Sequence, residues 1–277
     1  MLPIVAGFIV ATLCALTAAA PAALESRQAV TALSDAQIAS YRPYALFSRA
    51  VGCSPEATPT WTCGAPCDAL PGFLPAVSGG DGDAEQYWNR WFKTASLNNP
   101  SVVRSSHSCS LPILTDLDFD LAPLNKTLFP GVPEAASVHN GFRKEHERSA
   151  DRILAAVKII LVAHPGAAVT CTGHSLGGAL SILDAVLLRL QLPSTTPVKF
   201  VGFGTPGVGN PAFADHVDAV LPDFSRINNK QDPVPKLPRQ DSKAAGCIND
   251  TERTIFNATG SDHTGPYDGI FLDGSCH

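Results

Sequence analysis

Five consecutive residues, Gly173-His174-Ser175-Leu176-Gly177, have the types and spacing of a nucleophile turn. A serine hydroxyl attacks a carbonyl carbon only when a base takes its proton, and the attacked oxygen then needs N–H donors. Glycines two positions to either side allow a turn too tight for larger side chains, with the serine backbone strained. Such a turn lifts the hydroxyl above the carboxyl edge of a sheet, where open α/β sheets bind their substrates. It also sets the Leu176 N–H at a helix N-terminus, facing any developing negative charge. Five letters alone would equally fit a glycine-rich turn with no chemistry. Their surroundings favour the nucleophile, because a buried strand is expected over residues 167–171 and a helix over residues 175–190.

The base and its orienting acid follow from chain order. A histidine must accept the serine proton, and a carboxylate must fix its tautomer and stabilise the imidazolium. On a strand–turn–helix nucleophile the order is Ser, then Asp or Glu, then His. Three histidines follow Ser175. His216 falls inside an expected helix as a surface residue, and His277 is the last residue, where chains fray. His263 lies in the polar loop Gly260-Ser-Asp-His263-Thr-Gly265-Pro, which suits a loop-borne base. Asp232 follows an expected strand at its carboxyl end, and Pro233 and Pro235 are expected to hold the chain extended beyond it. Asp215, Asp218 and Asp223 read as solvated, Asp262 and Asp268 as turn caps, and His174 as a packing residue.

The elements that must position these groups alternate between residues 149 and 228. A helix over 149–162 closes at Pro165-Gly166, and the strand and helix around Ser175 come next. A strand over 198–203 is closed by Gly204-Thr205-Pro206. Asn210 is an N-cap with Pro211 at the first helical position of a helix through Val220, and a strand covers 224–228. The pattern implies an α/β fold with a mostly parallel central sheet flanked by helices. Upstream, residues 31–50 suggest a helix interrupted near Pro43. Residues 52–83 read as a Gly-, Pro- and Cys-rich stapled loop, and 84–135 as poorly patterned.

Composition narrows the class of protein. With 277 residues, 45% hydrophobic and 16% charged, the chain can bury one large core. A net charge of −5 without any Lys/Arg run speaks against nucleic acid as a partner. Residues 1–20 are almost wholly apolar and end in Ala18-Ala19-Ala20, as a signal peptide does. The run is short and broken by Pro3 and Pro21, which favours a signal over an anchor, so no transmembrane segment is expected in the mature chain. Residues 21–30 read as a short pro-segment and 31–277 as one domain. The acceptor pattern for N-glycosylation occurs at Asn125, Asn249 and Asn257, in keeping with secretion. Beyond Cys14 the chain holds an odd set of cysteines. Cys53, Cys63, Cys67, Cys247 and Cys276 are the disulfide candidates, and Cys171 reads as a buried thiol. Cys63 and Cys67 have no partnering pair at zinc-ligand spacing, so a disulfide is favoured over a metal.

Five stretches occur in one order: Val138-His-Asn-Gly-Phe142, Thr172-Gly-His-Ser-Leu-Gly-Gly178, Gly202-Phe-Gly-Thr-Pro-Gly-Val-Gly-Asn210, Asn228-Asn-Lys-Gln-Asp-Pro-Val-Pro235 and Asp262-His-Thr-Gly-Pro-Tyr267. Through them the sequence resembles the fungal class 3 lipases, secreted triacylglycerol lipases of the α/β-hydrolase fold, and their basidiomycete relatives. The resemblance implies a triad of Ser175, Asp232 and His263, acting without cofactor on acylglycerol esters, often at a lipid–water interface. In that family a Gly-Thr or Gly-Ser pair ending a strand supplies the second oxyanion donor. Here Ser110 is the nearest match, with Cys109 in place of the glycine and a short lid segment after it. The family's hairpin between acid and base is also missing, since Pro235 to Cys247 is a brief polar link. Losing one oxyanion donor typically costs roughly a hundred- to a thousandfold in rate. Two other readings therefore stand beside a working lipase: an impaired secreted homologue that binds lipid or surfaces, and a feruloyl-type esterase on the same scaffold.

Overall fold

A strand covered on both faces is buried along its whole length rather than at alternate positions, and Val169–His174 is buried at every position. The computed structural model that contains it describes residues 34–53, 57, 59–80, 88–93, 101–105, 118–237 and 260–273. The elements run α1 (Asp35–Val51), α2 (Ala65–Asp68), β1 (Phe73–Gly79), β2 (Trp88–Lys93), β3 (Ser101–Ser105), β4 (Leu121–Pro123) and β5 (Ser137–His139). They continue with α3 (Asn140–Glu147), α4 (Ala150–Ala163), β6 (Val169–His174), α5 (Ser175–Gln191), β7 (Val198–Phe203), α6 (Pro211–Val220) and β8 (Phe224–Ile227). A 3₁₀ turn at Val234–Lys236 and the short α7 (Gly260–Thr264) complete them.

Six strands form one sheet in the order β1-β2-β3-β6-β7-β8. The pairs β3–β6, β6–β7 and β7–β8 are parallel, while β1–β2 and β2–β3 are antiparallel. Side chains of β7 alternate between two cores, as the two-residue period of a strand requires. Val198 and Phe200 join Val169 and Cys171 of β6 against the buried α5, with α3, α4 and α6 contributing Phe142, Val157 and Phe213. Val201 and Phe203 face the opposite way, onto Ala45, Leu46, Phe47 and Val51 of α1. Helices thus cover both sides of the sheet within the compact unit Leu33–His277. Among the described residues no helix is long and apolar enough to cross a membrane.

Three expectations from the sequence change. Pro43 does not interrupt α1, which runs unbroken through it. A capping box between Ser34 and Gln37 starts the helix, and its second half is buried, so packing outweighs the hydrogen bond that proline cannot make. The region after residue 84, poorly patterned in sequence, supplies β2, β3 and β4. Trp88-Asn-Arg-Trp-Phe-Lys93 and Ser101-Val-Val-Arg-Ser105 mix charged and apolar residues without strict alternation, which hides both strands. The Cys-rich region likewise contains α2 and β1. Its staple is real, since Cys63 and Cys67 are joined by a disulfide and Cys53 is also disulfide-bonded.

Candidate active site

Ser175 is the first residue of α5, directly after β6, and its φ of 54° lies in the left-handed region that non-glycine residues rarely enter. This is the strained turn the sequence implies. Gly178 lets the start of this helix pack very close to the end of β7. A Cβ on Gly178 would come within 2.4 Å of Thr205 Oγ1 and 3.2 Å of the Gly173 carbonyl oxygen. As one of the first N–H groups of α5, that of Leu176 has no carbonyl within the helix to bond. It is the one described member of the expected oxyanion pair, because Ser110 and its neighbour Cys109 lie outside the described residues.

The structure brings all three expected triad residues together. The Ser175 hydroxyl is 2.8 Å from His263 Nε2. On the far side of the ring, His263 Nδ1 lies 3.1 and 3.0 Å from the two carboxylate oxygens of Asp232. In the neutral resting state Nδ1 carries the proton and donates to the carboxylate, leaving Nε2 to accept from the serine. All three side chains are buried, which strengthens their mutual interactions relative to water.

Each partner is fixed by its own element. Asp232 follows β8, the neighbour of β7, on a turn closed by its own N–H to the Asn229 carbonyl at 3.0 Å. Its Oδ1 also accepts from the Val234 N–H at 2.9 Å. The chain beyond it is not extended, because Pro233 is helical at φ −76° and ψ −23° and opens the 3₁₀ turn. That turn is what brings the Val234 N–H back onto the carboxylate. Arg226 on β8 donates to the carbonyls of Thr205 and Pro235, tying the segment after β7 to the segment after Asp232.

His263 sits on α7, and α7 is bonded to the acid's loop. Asn229 Nδ2 donates to the Asp262 carbonyl at 3.0 Å, and the Gln231 N–H donates to Asp262 Oδ2 at 3.3 Å. Asp262 therefore links acid and base segments instead of only capping a turn. The main-chain oxygen of His263 accepts from His174 Nε2 at 2.8 Å and from the Tyr267 hydroxyl at 3.2 Å. Burial, helped by the Asp232 charge, pushes the Tyr267 phenol well above its ordinary range, so it remains a donor. Neither contact is legible from residue spacing, although Tyr267 stands inside a stretch singled out above.

Asp215, Asp218 and Asp223 are exposed, and Asp268 pairs with Arg42 at 3.2 Å. His216 is half-buried on α6, and that burial lowers its pKa. Cys171 is a fully buried thiol on β6. Asn125 is exposed, whereas Asn249, Asn257, Cys247, Cys276 and His277 lie outside the described residues. Besides the three stretches joined by the triad, the stretch beginning at Val138 meets the one ending at Asn210. The His139 N–H donates to the Val208 carbonyl at 2.9 Å, and Val138 bridges Gly209.

Comparison with known proteins supplies context for this geometry. The sequence pattern of the family described as Lipase (class 3) matches residues 101–242. Secreted mono- and diacylglycerol lipase 3 of Gibberella zeae is 28% identical over 172 residues, 58% of this chain and 51% of that protein. A lipase of Rhizopus niveus is 38% identical over 109 residues, 39% of this chain and 28% of its own length. The chain thus spans about half, or less, of these curated relatives. The structure of lipase II from Rhizopus niveus superposes with a TM-score of 0.73 at 24% identity, covering 88% of this chain and 98% of that one. A triacylglycerol lipase structure, described as having a serine protease triad as its catalytic centre, gives a TM-score of 0.73 at 25% identity. It covers 89% of this chain and 99% of that one.

Proposed function

Because the chain belongs to the class 3 lipase family, we propose that it is a secreted serine hydrolase of acylglycerol esters with Ser175 as nucleophile. The observation that carries this reading is the continuous chain from Ser175 Oγ through the His263 ring to Asp232, closed at 2.8 and 3.0 Å. Ser175 attacks the ester carbonyl carbon while His263 Nε2 takes the hydroxyl proton, and Asp232 stabilises the imidazolium that forms. The carbonyl oxygen, now negatively charged, is held by the Leu176 N–H, with Ser110 as the second donor. Collapse expels the alcohol, which His263 protonates, and leaves an acyl group on Ser175. Water, deprotonated by the same ring, then releases the carboxylic acid.

Acylglycerols are the proposed substrates because relatives named as mono- and diacylglycerol lipases and solved triacylglycerol lipases share the sequence pattern and fold. Secretion is proposed from the signal-like residues 1–20 and from relatives named as secreted. The exposed Asn125 is a glycan acceptor in this reading, which the mass change on enzymatic deglycosylation checks. The purified protein should hydrolyse short- and long-chain nitrophenyl esters, and Ser175→Ala should abolish turnover. Equal rates for both proteins would refute the assignment.

Cys109, standing where the family has glycine before its second oxyanion donor, favours one other reading: a homologue that binds lipid but turns it over poorly. A fluorophosphonate probe separates the two. Rapid labelling at Ser175 supports the hydrolase, and a folded protein that never labels supports the impaired homologue.

A further inference from the structure

His174 ends β6 with extended backbone and is 2% exposed. Its Nε2 lies 2.8 Å from the main-chain oxygen of His263. A carbonyl oxygen can only accept, so Nε2 carries the proton and donates. The Tyr267 hydroxyl donates to the same oxygen at 3.2 Å, which occupies both lone pairs. The rings of His174 and His263 lie 4.6 Å apart with planes inclined at 32°, and Tyr267 meets His174 edge-on at 6.2 Å. Tyr267 in turn packs edge-on against Phe203, the last residue of β7, at 5.3 Å.

Burial holds the His174 imidazole at a pKa of about 3; the nearby His263 adds to this, and the hydrogen bond to the His263 carbonyl opposes it. The ring is therefore neutral wherever a histidine base operates. It can donate its proton to the carbonyl without setting a second positive charge beside the His263 imidazolium.

The problem such a contact solves is mechanical. Ser175 is held by a buried strand and a buried helix, whereas His263 rides on a helix of five residues. A helix this short has little stability of its own, so contacts from other elements must hold it in place. The 2.8 Å separation between Ser175 Oγ and His263 Nε2 has to persist after the shared proton has moved.

We propose that His174 is a positioning residue for the base. By bonding the His263 main chain to the residue immediately before the nucleophile, it keeps base and nucleophile in register independently of the proton they share. The inference rests on the assignment of Ser175 and His263 in the preceding subsection. It reaches beyond the triad, because His174 bonds the His263 main chain and not the Ser175 hydroxyl or the His263 ring nitrogens.

The test compares His174→Phe, which keeps an aromatic ring and loses the donor, with His174→Gln, whose amide can replace the Nε2–H. Misplacing a catalytic group by about 1 Å costs on the order of a hundredfold in rate. His174→Phe should therefore lose about that much in kcat with KM little changed, and His174→Gln should recover at least about tenfold of the loss. Fluorophosphonate labelling of Ser175 should slow in parallel. The low-field proton resonance of His263 Nδ1, which needs no turnover, should shift or broaden in His174→Phe and return toward its original position in His174→Gln. Should His174→Phe fail to fold, His174→Asn, whose shorter amide falls short of the carbonyl, takes its place. An unchanged kcat and resonance in the variant lacking the donor would overturn the proposal, as would equal losses in Phe and Gln variants. If the unmodified protein neither labels nor turns over, the hydrolase reading fails, and the resonance comparison still decides for or against His174.

Discussion

Gly204 lies against the carboxylate of Asp232 so closely that a Cβ at Gly204 would fall 2.7 Å from Asp232 Oδ2. The same added carbon would be 2.9 Å from His263 Nδ1, in the middle of the acid–base contact. Gly204 also has a φ of 52°, in the left-handed region that favours glycine. Two separate constraints therefore require glycine at the carboxyl end of β7. Gly204→Ala should push Asp232 and His263 apart, lowering kcat about a hundredfold for a displacement of about 1 Å. Stability should fall by roughly 1–2 kcal/mol from the backbone strain alone. Steady-state kinetics and a denaturant titration check the two effects; full activity would mean that the acid–base pair tolerates the added carbon.

Asp232→Asn tests the tautomer and not the packing. Oδ1 accepts from the Val234 N–H at 2.9 Å, so the asparagine carbonyl oxygen should keep that place. Its NH₂ group then points at His263 Nδ1, which must give up its proton and act as acceptor. The proton moves to Nε2, which can no longer accept from Ser175. In a comparable Ser-His-Asp triad this substitution costs about 10⁴-fold in kcat. A loss of that order is expected here with melting temperature little changed. A loss below about tenfold would show that Asp232 does not orient the base.

Local rules made part of this site readable in advance. The bounds of β7 and α6 come out as the sequence implies, because nearby devices set them. Asn210 caps α6 by accepting from the Phe213 N–H, and Pro211 fills its first position. Chain order, with a strand end before Asp232 and a polar loop around His263, was enough to choose both. The relations that hold them were not readable, since His174 with His263 and Arg226 with Thr205 depend on segments distant in sequence. Gly204 reads as a turn residue, and only the fold reveals what its missing side chain would strike. Pro43 and Pro233 misled in the same manner, because a proline's local preference yields to buried packing in α1 and to the 3₁₀ turn after Asp232.

Buried neutral histidines predict how stability responds to acid. His174 is held at about 3 against an ordinary value of 6.5, and burial lowers His139 and His216 as well. Below pH 6.5 the unfolded chain takes up protons that these folded imidazoles refuse, so stability falls as pH falls. For His174 the loss approaches roughly 1.4 kcal/mol per pH unit between about pH 6 and its folded pKa of about 3, and His139 and His216 add in the same direction. By about pH 8 these groups bind almost no proton in either state and contribute almost no slope. Denaturant midpoints measured from pH 8 to 4 should therefore be flat and then decline. His174→Gln should reduce the slope by about one proton, and an unchanged slope would show that His174 protonates in the folded protein.

Deep in the helical layer, His146 of α3 meets Asp184 of α5 at 3.0 Å, with both side chains almost wholly buried. The Phe129 ring closes over the histidine at 5.5 Å. Breaking a buried polar pair from one side strands its partner without water, typically at a cost of 3–5 kcal/mol. Asp184→Ala should lose stability on that scale. The double variant His146→Phe with Asp184→Leu should recover much of it, because a well-packed apolar replacement often equals or exceeds a buried ion pair. Asp184 stands nine residues along α5 from Ser175, about 13 Å at 1.5 Å per residue. Turnover per folded molecule should consequently stay within about twofold in both variants, provided the assay is run well below their melting temperatures. Thermal melts and active-site titration with a fluorophosphonate separate the folded fraction from its activity. A fall in kcat that persists after this correction would mean that the pair also supports the start of α5, and with it the strained backbone of Ser175.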